Sequence, residues 1–258
     1  MKTPTINILT RTASRPIGFL RCHSSISNQT YKKTQHIVSY ENDSDYNYIK
    51  GDNIVPVKVN KIEKSNKKSA SGYIHAPYNL HCNKLLEQVK EGWVMFLDDD
   101  DNLLHNKVFK EIVDVLKNCN EETLLIWKMR YPDGRTLPEA KNFKDESIQI
   151  NKIGSCCFMF HSKYKDEIKW DEWKGSDFRF LNGISKKIPN KMWINRVYIQ
   201  INNFGDFGKQ NDVDSLLNTC IYNKNWNWYL LPKYHMDILG LKIFSKTFYS
   251  KLKNRIFR

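Results

Sequence analysis

The sequence predicts an α/β fold, a largely parallel sheet with helices on its faces. Short apolar or β-branched runs alternate with amphipathic stretches through the first half, the order that parallel βαβ units produce. One of those runs, residues 94–97 (Val-Met-Phe-Leu), is too short for a helix, reads as a buried strand, and ends in four consecutive aspartates at 98–101. The chain also has the material for a core: 258 residues, 40% hydrophobic, with 7 Trp, 13 Tyr and 13 Phe. That suffices for one large domain or one and a half.

The elements follow in order. Residues 5–10 (TINILT) form a β-rich run that leads into Thr10-Arg11-Thr12-Ala13-Ser14-Arg15-Pro16. Residues 16–26 place Phe19, Leu20, Cys22 and Ile26 at helical spacing, and Pro16 suits the first turn, where its missing N–H is not needed. A second strand covers 36–39, followed by a polar stretch at 41–46. Residues 54–59 read as a third strand, at an edge because Pro56 cannot donate to a ladder. Leu80, Leu85, Leu86 and Val89 give 79–89 a helical stripe. After the aspartate strand comes a helix over 104–116, which Asp101 or Asn102 would cap. In such sheets ligands sit beyond the carboxyl ends of the strands, and the aspartates lie at one.

The second half is less regular. Residues 124–130 and 153–160 read as strands, with the turn signal Tyr131-Pro132-Asp133-Gly134 between them. A polar helix is expected over 177–184 and a strand over 193–201, then a glycine- and asparagine-rich loop at 202–211. From 238 to 258, Leu241, Phe244, Phe248 and Leu252 share one stripe among Lys242, Lys246, Lys251, Lys253 and Arg255. This predicts a basic amphipathic helix that packs on the domain or lies on an anionic membrane. The expected division is a domain at 1–235, with halves 1–103 and 104–235, and the helix at 236–258.

The net charge is +13. Most of it is lysine spread along the chain, densest at 58–68, and no zinc finger, basic zipper or RNP-type motif accompanies it. A specific nucleic-acid partner is therefore not expected, whereas anionic small ligands or a membrane face suit such a surface. No stretch approaches a membrane span or a secretory signal, so a cytoplasmic location, peripheral to a membrane at most, is the expectation. The six cysteines have no zinc-ligand spacing and are expected to be reduced.

The chemistry concentrates at the aspartates. A carboxylate cluster at a strand end is unfavourable without a cation, and two carboxylates with a phosphate-bearing ligand make a natural Mg²⁺ or Mn²⁺ site. The alternative is a solvated acidic loop capping the next helix. Around the cluster stand Asn83, fifteen residues upstream, Gly92, the run Gly154-Ser155-Cys156-Cys157-Phe158-Met159-Phe160, and Gly175-Ser176-Asp177. This order resembles the GT-A glycosyltransferases, specifically the family-2-like inverting enzymes, over roughly residues 4 to 215. The resemblance implies the GT-A (Rossmann-like) fold with a smaller acceptor-side region, and transfer of one sugar from a nucleoside-diphosphate sugar, a UDP-sugar favoured, to a glycan, protein or lipid-linked acceptor.

The resemblance also implies roles. Asp98 and Asp100 would hold Mn²⁺ or Mg²⁺ on the donor diphosphate, with Asp99 or Asp101 sharing the task because the register is open by one. Thr10, Arg11, Arg15, Glu41 and Asn83 would line the nucleotide site with Asp98 and Asp99, Asp43 being the alternative to Glu41. Asp177 would be the general base, with helix capping as its other reading and Glu172 as a second candidate base. His235 would be a third metal ligand. No Gln-x-x-Arg-Trp sequence follows Asp177, which argues against a processive synthase. Two alternatives remain: a basic non-catalytic binding module for nucleic acid or acidic glycans, and a sugar-nucleotide pyrophosphorylase. The latter needs a glycine-rich loop after the first strand, and residues 10–16 contain no glycine.

Overall fold

The computed structural model describes residues 3–202. The loop beyond 202, His235 and the basic tail lie outside the described residues. The chain begins with β1 (Ile6–Thr12), α1 (Pro16–Ser27), β2 (Thr34–Tyr40), a short α2 (Asp43–Tyr46) and β3 (Ile54–Lys58). A 3₁₀ turn, Pro77–Leu80, leads into α3 (His81–Gln88) and then β4 (Trp93–Phe96). The second half holds β5 (Asn102–Leu103), α4 (Val108–Leu116), β6 (Thr123–Arg130), β7 (Thr136–Leu137), α5 (Ala140–Lys144), β8 (Phe158–His161), α6 (Ser176–Ile184) and β9 (Asn190–Gln200).

The strands form one mixed sheet in the order β3-β2-β1-β4-β8-β6-β9-β5, with β7 paired to β6. β3, β2, β1 and β4 are parallel throughout, as expected for βαβ units. Pro56 sits on the edge strand. Beyond β4 the sheet is mixed: β8 runs antiparallel to β4 and β6, and β9 runs parallel to β6. Every residue of β4 is buried, and Val94 and Met95 are fully so. A central strand buried on both faces needs an unbroken apolar run, which is why residues 94–97 carry no alternation. No helix among the described residues is long and apolar enough to cross a membrane.

The end of β4 is set by one side chain. Leu97 N–H still donates to Leu9 O (3.0 Å), but the Leu97 carbonyl accepts from the Thr10 hydroxyl at 2.7 Å. With a side chain substituting for the backbone ladder, the chain leaves the sheet and turns, closed by Asp101 N–H to Asp98 O (3.0 Å).

Two expectations are corrected here. The helix after the aspartates starts at Val108, not at 104, because Asn102 and Leu103 first pair with β9 and Leu104 N–H donates to Tyr198 O. Neither Asp101 nor Asn102 caps it; Lys107 holds the N-cap position and Asp101 accepts Asn202 N–H (3.2 Å). The strand expected over 153–160 shortens to β8, because Ser155–Cys157 make a 3₁₀ turn. That turn is held by the buried Trp127 Nε1–H donating to Cys156 O (2.8 Å).

Gly92, which introduces β4, has φ +98°, and a Cβ there would stand 2.5 Å from the Thr5 carbonyl oxygen. Backbone cannot move aside as a side chain can, and the left-handed conformation is itself unfavourable for other residues. Gly92→Ala is expected to destabilise the fold by about 2–3 kcal/mol in urea denaturation.

Candidate active site

A cleft of about 470 Å³ opens at the carboxyl ends of β1, β2 and β4. Arg11 and Arg15 reach it from the end of β1 and the following loop, and Glu41 from the end of β2. Tyr78 and Asn79 come from the 3₁₀ turn and His81 from α3. All four aspartates line it, opposite Tyr131, Ser155, Trp170 and the stretch Lys174-Gly175-Ser176-Asp177.

Arginines organise the acidic turn. Arg11 Nη2 donates to Asp98 Oδ1 at 2.6 Å and Nη1 to Asn79 Oδ1 at 2.9 Å, with the guanidinium 5.4 Å from the centre of the Tyr78 ring. Arg15 Nη1 lies 2.9 Å from Asp99 Oδ1 and 3.2 Å from Asp100 Oδ2. Arg21 Nη2 donates to Asp100 O at 2.6 Å, and the Asn202 amide donates to the same carbonyl at 2.8 Å.

Burial and shared counter-charge drive the carboxyls apart. Burial alone would raise Asp98, but the ion pair and hydrogen bond to Arg11, with Arg15 behind, hold it below the usual carboxylate range. At Asp99, burial outweighs Arg15, whose charge is divided with Asp100 and Asp98, and pushes the carboxyl up to about 7. Burial, then Asp100 and Asp98, pushes Asp101 well above its ordinary range. Two protonation-prone carboxyls in one turn mark a field that three arginines leave short of positive charge.

That field and the donor set fit a divalent cation. Asp98 and Asp100 line the cleft, and the Ser155 hydroxyl lies 3.4 Å from Asp98 Oδ2. These are the hard oxygen donors that Mg²⁺ and Mn²⁺ take. No group of three His, Cys, Asp or Glu among the described residues would hold an ion by itself. The rest of its shell would come from ligand phosphates and water.

Across the cleft, Gly175 (φ +79°) turns the chain into α6 and occupies the N-cap position without a side-chain cap. Asp177 is therefore not the N-cap; its Oδ1 accepts Phe178 N–H at 2.9 Å. Burial, reinforced by Asp98, raises its carboxyl above the usual range against the opposing Phe178 N–H and Arg11. Arg179 braces this corner through two bonds to Asp171, at 2.5 and 2.6 Å.

The cleft brings together Arg11, Arg15, Glu41, Asp98, Asp99, Asp100 and Asp177 of the sequence candidates. Glu41 accepts from or pairs with His81 Nε2 at 2.9 Å, whereas Asp43 is exposed and paired with Lys58. Thr10, Asn83 and Glu172 sit elsewhere. Thr10 is fully buried beneath the turn. Asn83 spends its amide on the backbone of Trp170, donating to its carbonyl and accepting from its N–H, both at 2.9 Å, so it fastens α3 to the loop before α6. Glu172 lies 3.7 Å from His75 and outside the cleft lining. Tyr78, Asn79, His81 and Lys174 are not among the sequence candidates, and Ser155 and Tyr131 appear there only within the run at 154–160 and the turn signal at 131–134. Of the first four, only Tyr78 and Asn79 carry a local signal, directly after Pro77.

The sequence matches no protein-family profile and no curated protein. The fold, in contrast, matches solved structures. Against S. aureus TarS the TM-score is 0.56 at 15% identity, covering 94% of this chain but 44% of that one. Against TarS 1–349 in complex with UDP-GlcNAc it is 0.54 at 16% identity, covering 94% and 74%. The mannosyltransferase PcManGT from Pyrobaculum calidifontis, in complex with GDP-Man and Mn²⁺, gives 0.55 at 11% identity, covering 86% and 62%. The chain thus shares the fold of these solved structures and spans less than half the length of full TarS.

Arg11→Met leaves the partly exposed Asp98 without its nearest counter-charge and is expected to cost about 1–2 kcal/mol of stability, with Arg11→Met/Asp98→Asn recovering part of it in urea denaturation. Asp99 stays protonated up to about 7 in the folded chain but ionises near 3.8 when unfolded. Between those values the unfolded chain holds fewer protons, so this group's contribution to stability falls as pH rises. Calorimetry from pH 4 to 7 without divalent cations should show that loss, and Asp99→Asn should reduce it.

Proposed function

We propose that this chain is a metal-dependent inverting glycosyltransferase that moves one sugar from a nucleoside-diphosphate sugar, a UDP-sugar favoured, to an acceptor hydroxyl. The observation that supports this best is the shared cleft: Asp98 and Asp100 on one wall, Asp177 on another, beyond the strand ends of a GT-A-like fold. The acceptor would be a glycan, a protein or a lipid-linked hydroxyl.

In this reading Asp98 and Asp100 hold Mn²⁺ or Mg²⁺, with Asp99 close by. The ion would supply Lewis-acid stabilisation of the departing diphosphate. Arg15, already between Asp99 and Asp100, is positioned to hand its guanidinium to phosphate oxygens, which it can bind as a fork. Arg11 keeps Asp98 ionised and oriented while its other arm fixes Asn79. Tyr78, Glu41 and His81 form the adjoining wall, the side on which a nucleoside would lie. Asp177 takes the proton of the acceptor hydroxyl as that oxygen attacks the anomeric carbon from the face opposite the diphosphate. Its raised basicity brings it nearer the working pH, which favours proton transfer.

The test is a thermal-shift panel of nucleoside diphosphates and their sugars with and without Mn²⁺. One nucleotide should shift the melting temperature in a Mn²⁺-dependent way, and Asp98→Asn and Asp100→Asn should abolish that shift. Asp177→Asn should keep the shift and lose transfer by about 10²–10⁴-fold. Transfer by the wild type should rise with pH on an acid limb displaced above the ordinary aspartate range. Full turnover in Asp177→Asn would remove it from the mechanism, and the absence of any nucleotide shift would refute the assignment.

A further inference from the structure

A line of buried hydrogen bonds runs under the acidic turn and plays no part in the chemistry above. Thr10 Oγ1 carries one proton, and it is given to the Leu97 carbonyl. Its contact with His36 Nε2 at 2.9 Å must therefore be a bond donated by His36. With its proton on Nε2, neutral His36 presents Nδ1 as an acceptor, and His23 Nδ1, 3.0 Å away, donates to it. Burial holds both imidazoles below their usual basicity, so the neutral pair is the resting form.

The rings are fixed by packing. His23 and His36 stack at 5.3 Å and 7°, and Phe19 stacks on His36 at 5.7 Å and 13°. A Cβ on Gly51 would come within 2.3 Å of His23 Nε2, so the far end of the line is closed by backbone. Asp52 faces His23 from the same turn; His36 meets Thr10 and His23, with Tyr48 beyond Phe19.

We propose that Thr10, His36 and His23 are positioning residues that fix where β4 releases the aspartates. Leu97 is the last residue before Asp98, and its carbonyl has no backbone donor in the ladder, so the Thr10 hydroxyl sets the direction of the turn. The His36 Nε2–H fills a lone pair of Thr10 Oγ1 and leaves the hydroxyl proton for Leu97, and His23 holds His36 in that tautomer. The consequence for donor binding rests on the glycosyltransferase reading; the placement of the turn does not.

The experiment is amide hydrogen exchange on the full chain, followed in peptides spanning 93–101 and, as a control, 54–58. Thr10→Val keeps the shape and removes the hydroxyl; it should speed exchange at 97–101 by at least about tenfold with the control unchanged, and Thr10→Ser should restore protection. His36→Leu removes the N–H and should speed exchange at 97–101 in the same way, whereas His36→Gln keeps an N–H and should keep most of the protection. Wild-type protection in Thr10→Val or in His36→Leu would overturn the proposal. Should Thr10→Val fail to fold, the comparison of His36→Leu with His36→Gln decides alone. UDP with Mn²⁺ is titrated in parallel: wild-type binding that Thr10→Val leaves intact counts against the positioning role, whereas no binding by the wild type counts against the glycosyltransferase assignment and leaves the exchange result standing.

Discussion

Four carboxyl groups crowd the end of one buried strand, and the cleft depends on how their charge is met. The cost of burying them is too large to leave uncompensated. Arg11, Arg15 and Arg21 all converge from the first strand and the helix after it, and Asn202 approaches from the far edge of the sheet. The compensation is incomplete: Asp98 is held ionised while Asp99 and Asp101 are driven toward protonation. A site in that condition favours an added cation, which connects an electrostatic fact about folding to the chemistry proposed for the cleft.

The same turn ties the two halves of the sheet together. β4 stands between the parallel strands and β8, so the aspartates emerge where the sheet changes character. The turn after them feeds β5 onto β9, at the other end of the strand order. Ser155 comes from the 3₁₀ turn that cuts short the strand expected over 153–160. The two places where regular structure failed against the sequence, the delayed α4 and the shortened β8, therefore both border the cleft. Local regularity gave way there because backbone and side chains meet the acidic turn instead of extending an element.

Much of the first half was legible. Periodicity and the positions of Pro16 and Pro56 indicated α1 and the edge strand, since proline acts through its own backbone whatever surrounds it. Arg11, Arg15, Glu41, the aspartates and Asp177 were readable as candidates because chemical type and order along the chain survive without coordinates. Thr10 and Asn83 lie outside the cleft lining and bond to backbone, a placement invisible in the sequence, where a polar residue near a strand end looks the same whether it faces a ligand or satisfies buried backbone. His81 and Lys174 escaped because nothing local distinguishes them from other polar residues.

By itself the sequence determined the α/β class, the buried strand that ends in aspartates, and the residue types able to bind a cation and move a proton, all of which follow from local pattern and composition. The tertiary structure decided which carboxyls face the cleft, which arginine meets which aspartate, and how far each is held from its ordinary ionisation. Those depend on distances between groups some 85 residues apart and on their shared burial, such as Arg11 with Asp98 or Arg15 with Asp99. Neither quantity exists until the sheet has brought the strand ends side by side.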